Sequence, residues 1–132
     1  MAELPVDLAR FLRGDIDTAP FTHREHVRMA FETLRRHDFV EAALHYSHAL
    51  RTLTAKVGKP EKFHQTVTVA FLSLVAERMQ TRGPCDFDDF ADANPDLLDK
   101  SALSRHYSAG RLSSEAARTT FILPEPLRAP AQ

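Results

Sequence analysis

Histidine is the residue in surplus. The chain has seven, against four glycines, two tyrosines and no tryptophan, in 132 residues. An imidazole titrates near pH 6.5, so it can pass protons at neutral pH, and its neutral form is a common ligand for divalent metals. His23 and His26 stand three residues apart, His64 stands in Phe63-His64-Gln65-Thr66, and Glu41, His45 and His48 recur at helical spacing. The first three and the last three are both tempting sets of ligands.

Helical phase, about 100° per residue, separates them. Over residues 39–57, Phe39, Ala43, Tyr46, Leu50, Leu53 and Val57 form one apolar stripe, and Glu41, His45, His48 and Thr52 fall on the opposite, solvated side. His37 sits at a helix end, where a cation suits the dipole; the face of His106 is not assigned. Over 23–36 the stripe is Val27, Ala30, Phe31 and Leu34, with His23 on it and His26 at its edge beside Thr33. Over 60–80 the stripe is Phe63, Val67, Phe71, Leu74 and Val75, and His64 falls within it. Each of these histidines taken singly reads as a hydrogen-bonded core residue, because an unpaired buried imidazole costs about 1–3 kcal/mol.

Short connections around residues 37 and 58 make successive helices antiparallel, so the helices that carry these histidines run parallel and start at one end of the bundle. His23, His26 and His64 are thereby expected at one level, between axes about 8–10 Å apart. Three imidazoles with a fourth position open form the arrangement of a catalytic metal site that activates water. Zinc or iron(II) is the expected divalent ion, although imidazole ligands alone do not choose the metal. Glu77 lies 13 residues beyond His64, about 20 Å along a helix, too far to join them. Without metal, the same residues could act as general acid and base. Cys85, between Pro84 and Asp86, is in an anionic setting that disfavours a thiolate. No phosphate loop, nucleophile elbow, His-Glu-x-x-His or Cys-x-x-Cys is present.

The elements that must hold these residues are all helical: Ala, Leu, Arg and Glu recur at helical spacing, glycine is scarce, and no strand-like alternation competes. Residues 4–13 form a first helix, with Leu4, Leu8, Phe11 and Leu12 on one side and Gly14 as a left-handed cap. Thr22 with Glu25, and Asp38 with Glu41, are capping pairs that open helices at 23 and 39. Gly58-Lys59-Pro60 stops one helix and starts another over about 60–80. Residues 86–100, with six aspartates against Lys100, read as short turns capped by Asp86 and Asn94. Residues 101–107 and 109–118 are short helices, 119–123 an extended docked segment, and 124–132 a proline-containing tail. The expectation is an all-α fold, a single compact bundle of three longer helices with short ones added, forming one domain over 1–123.

Seventeen basic residues against eighteen acidic ones give a net charge of −1, which offers nucleic acid or an anionic membrane no electrostatic footing. One cysteine, no leader-like start and no apolar run near 18 residues point to a cytoplasmic protein.

Phe21-Thr22-His23-Arg24-Glu25-His26, Phe63-His64-Gln65-Thr66 and Phe121-Ile122-Leu123-Pro124 resemble the motifs of a group of small all-helical bacterial proteins of unassigned function. That group shares Phe-x-His-x-x-His, aromatic-His-x-Thr and Phe-[Ile/Val]-Leu-Pro segments, and the similarity covers roughly residues 20–124. The resemblance implies one pocket for the three histidines and nominates Thr66 as a contact near His64; it supplies no reaction.

The sequence thus favours a small metal-dependent enzyme acting on a small organic substrate, with metal ligands His23, His26 and His64. Phe21, Phe63 and Tyr107 would line the approach and Thr66 would orient ligand or water. A metal-free binding or regulatory module is one alternative; an interaction protein using the acidic stretch 86–100 is the other.

Overall fold

A computed structural model describes residues 5–126, and among them there is no strand: the fold is all-α. Leu4 and the tail beyond residue 126 lie outside the described residues.

Helix α1 (Val6–Leu12) ends in two crossed backbone bonds, Gly14 N–H to Phe11 carbonyl and Asp15 N–H to Arg10 carbonyl, both 2.8 Å. This closure needs the positive φ of Gly14, +68°. The same glycine lies against α3 (Phe39–Lys56), where a Cβ would overlap the Thr52 methyl group. Helix α2 (His23–Arg36) begins where the Thr22 hydroxyl accepts from Glu25 N–H, and α3 where the Asp38 carboxylate accepts from Glu41 N–H. In neither case does the glutamate reach back to complete a box: Glu25 pairs with Arg28, and Glu41 lies 3.5 Å from His37 Nδ1.

The expected helix over 60–80 is two elements. Pro60–Lys62 is a single 3₁₀ turn, residues 63 and 64 are extended, and α4 runs Gln65–Arg82. His64 is the residue before the helix, its Nδ1 accepting from Val67 N–H at 3.0 Å. Its place on the α4 stripe therefore does not exist, because two extended residues break the helical phase on which that placement rested. Beyond α4 come α5 (Phe87–Ala93), capped by Asp86, and 3₁₀ turns over Pro95–Leu98 and Ala102–Arg105. The segment 109–118 divides at Ser113 and Ser114 into α6 (Ala109–Leu112) and α7 (Glu115–Thr119), the second capped by the Ser114 hydroxyl.

The core is one continuous cluster in which α2, α3 and α4 pack together, and Leu8, Phe11, Phe31, Leu72 and Phe90 are almost wholly buried. Because α1 also packs on α3, the buried face of α3 adds Ala42 and Ala49 to the expected Tyr46 and Leu53, Ala43 and Leu50 pack at its edge, and Phe39 and Val57 at the ends of the stripe stay 36% and 48% exposed. Among the described residues no helix is long and apolar enough to cross a membrane.

Candidate functional site

The N-terminal end of α2 opens onto a cleft of about 360 Å³ lined by Phe21, His23, His26, Tyr46, Leu50, Val67, Thr68, Phe71, Lys100 and Leu103. Its walls come from α2, α3 and α4, and its rim from the loop after the Pro95–Leu98 turn. The size falls at the lower end of pockets for small organic molecules, and the lining has their usual make-up: apolar surface with few polar groups.

Most of those polar groups are already engaged. The Tyr46 hydroxyl donates to the His26 carbonyl at 3.1 Å, and burial pushes this phenol well above its ordinary pKa, so it stays protonated. The Thr68 hydroxyl donates to the His64 carbonyl at 2.7 Å. His23 gives its Nε2–H to the Leu97 carbonyl at 3.1 Å. A carbonyl can only accept, so Nε2 carries the hydrogen and Nδ1 holds the lone pair of the neutral ring.

His26 is different. Its ring stands edge-on to Phe21, with centroids 4.6 Å apart, and makes no hydrogen bond among the described residues. Burial, with smaller repulsion from His23 and Lys100, lowers its pKa to about 4. At neutral pH it is an uncharged imidazole facing an apolar cleft. The groups left for a ligand are therefore the rings of His23 and His26 and the ammonium of Lys100. Asp99, beside Lys100, is held below its ordinary pKa by the Ser101 N–H and hydroxyl, with a smaller contribution from His23.

The structure brings Phe21, His23 and His26 together and leaves the other expected site residues elsewhere. His64 does not line the cleft. Its Nε2–H donates to the Leu112 carbonyl at 2.6 Å while Nδ1 caps α4, so neither nitrogen is free to bind a metal. In this structure His64 therefore does not join His23 and His26, and among the described residues no group of three or more His, Cys, Asp or Glu stands close enough to hold an ion.

Thr66 is fully buried and ties down the C-terminal segment: its hydroxyl donates to the Thr120 carbonyl at 2.8 Å and accepts from Ile122 N–H at 3.1 Å. Tyr107 donates its hydroxyl to the Ile122 carbonyl at 2.8 Å. Phe63 lies beneath the Arg51 guanidinium in a separate groove. These three residues are thus removed from the expected approach to the histidines. His45, His48 and His106 are exposed, and His37 ends α2. Lys100 was not expected in the site; being the one cation among six aspartates was the signal it offered.

The geometry defines a helical bundle with a cleft that brings two imidazoles together, His23 and His26. Neither a family model, nor a curated protein, nor a solved structure matches the chain.

Proposed function

We propose that the protein binds a small organic molecule in the cleft at the start of α2, without metal. The ligand is an apolar, ring-sized body carrying a carbonyl or carboxylate group. Its apolar part contacts Phe21, Leu50, Val67, Phe71 and Leu103; its oxygen meets Lys100 at the rim and the imidazoles inside. The observation that carries this reading is His26: a half-buried ring, neutral at ordinary pH, set edge-on to Phe21 in the cleft wall, whose nitrogens have no protein partner among the described residues and face the open cleft. A neutral imidazole without a protein partner beside an apolar cavity is suited to hydrogen-bond a ligand.

Nuclear magnetic resonance titration with benzoate and phenylacetate tests this. Expected are saturable shifts of the His26 ring and of Phe21 and Phe71, weakened about tenfold or more in His26→Phe, as for loss of one buried hydrogen bond. Shifts scattered over the surface, or binding unchanged in His26→Phe, would refute it.

One observation supports a metal-dependent reading on fewer ligands. A ring whose Nε2–H is fixed on a backbone carbonyl has the tautomer and orientation of a metal-bound histidine, and His23 has that bond. Under this reading His23 and His26 hold zinc or iron(II), and substrate or water completes the coordination. Untagged protein would then take up stoichiometric metal, lose it in His23→Ala and keep it in His64→Ala; absence of uptake rejects this second reading and leaves the first standing.

A further inference from the structure

A second concave surface lies away from the histidine cleft, between the last turns of α3 and the end of α7. It is a groove of about 330 Å³ lined by Arg51, Thr54, Pro60, Phe63, Arg118 and Thr119. Two guanidinium groups and an aromatic plate in one groove are the elements of oxyanion recognition.

Arg51 is held in position by uncharged partners. Its guanidinium lies 4.6 Å above the Phe63 ring centroid and donates once, to Gln65 Oε1 at 3.0 Å. Among the described residues the arginines with carboxylate partners are Arg24, Arg28, Arg35, Arg36, Arg78 and Arg118; Arg51 has none. A guanidinium carries five N–H donors, so most of those on Arg51 remain available. Arg118 spends Nε and Nη2 on Glu115, at 3.3 and 2.7 Å, which leaves its Nη1. The hydroxyl hydrogens of Thr54 and Thr119 go to the Arg51 and Glu115 carbonyls, so the arginines are the donors the groove can offer.

The surrounding charge agrees. Lys56 at the end of α3, and Lys59 and Lys62 between α3 and α4, follow Arg51, with Glu61 the one acid among them. The aspartates of 86–99 follow the other end of α4. The small net charge of −1 therefore divides into a mostly basic stretch around the groove, with Glu115 paired to Arg118, and an acidic stretch beyond the other end of α4, a distribution that favours small anions near Arg51.

We infer that this groove binds an oxyanion, phosphate or carboxylate, carried on a small planar body. The anion bridges Arg51 and Arg118, and the ring packs along Phe63 and Pro60. The site is independent of the histidine cleft.

Titration of the full chain with phenyl phosphate, benzoate and inorganic phosphate, read residue by residue from amide shifts, tests it. Expected is saturable binding with shifts centred on Thr54, Phe63 and Thr119. Binding read at these groove residues should weaken about tenfold or more in Arg51→Gln and by a smaller factor in Arg118→Gln, as for loss of charge-assisted bonds; any benzoate shifts at Phe21 and Phe71 report the histidine cleft and are read separately. Phenyl phosphate binding above benzoate identifies the phosphate class, and the reverse order the carboxylate class. Failure of all three probes to give saturable shifts at these groove residues overturns the inference, as does groove affinity preserved in Arg51→Gln. Should Arg51→Gln not fold, the wild-type shift map and Arg118→Gln decide: shifts in the groove that weaken in Arg118→Gln support the site, and anything else rejects it.

Discussion

His23 and His64 make the same bond in two places. Each donates Nε2–H to a carbonyl near the end of a short helix, Leu97 for His23 and Leu112 for His64, where helical geometry leaves that oxygen without an internal partner. They differ at the other nitrogen. His64 Nδ1 receives Val67 N–H and starts α4; His23 Nδ1 has no such donor and stands beside the cleft. Around His64 the neighbouring polar groups, Thr66 and Tyr107, are also fully used, on the C-terminal segment. Around His23 the neighbours include His26, which is unused. One region spends all its hydrogen-bonding capacity on the fold, and the other keeps some back. The count of engaged atoms separates structural from available histidines here; residue type and helical face do not.

That contrast can be broken by substitution. The largest effect is expected at Thr66, where Thr66→Val removes both a donor and an acceptor and strands two backbone groups. It should cost about 2–5 kcal/mol in denaturant unfolding, at about 1–3 kcal/mol per buried group left without a partner. The Ile122 amide should then exchange its hydrogen faster. His64→Ala follows, at about 1–3 kcal/mol for a lost cap and a lost carbonyl partner. His64→Asn should recover part of this by capping α4 while still missing Leu112; no recovery would mean that the cap contributes little.

The smallest effect on stability is expected in the cleft, and it depends on pH. In the fold His26 stays neutral down to about pH 4, whereas unfolded it takes up a proton near 6.5. Between those values the unfolded chain binds more protons, so stability falls as pH is lowered from about 6.5 towards 4 and this contribution is fully retained above. His26→Phe should be close to wild type in stability at pH 7.5 and lose less than wild type on acidification to pH 4.5. Equal losses in the two proteins would show that His26 is not held neutral by burial.

Much of the fold was legible because its punctuation is chemical. Thr22 and Asp38 are residues that cap helices, and α2 begins and α3 begins where they say. Gly14 and Gly58 both adopt the positive φ their positions require. The site was less legible for two reasons. An imidazole is not among the usual N-caps, so nothing marked His64 as one, and an uninterrupted phase carried it onto the wrong face. Lys100 sits outside any helix, where periodicity does not say which way a side chain points. His23 and His26 were found because they lie in the first turns of α2, where the phase is intact.

The tie made by Thr66 joins residues 54 and 56 positions apart in sequence, whereas the α2–α3 turn joins immediate neighbours. Contacts that close long loops lose more chain entropy before they are rewarded, so the order of assembly follows. The helical hairpins are expected to form first, with residues 120–123 settling onto them afterwards. On the same argument this segment is expected to open ahead of α2, α3 and α4, and faster hydrogen exchange at Ile122 than in those helices would show it.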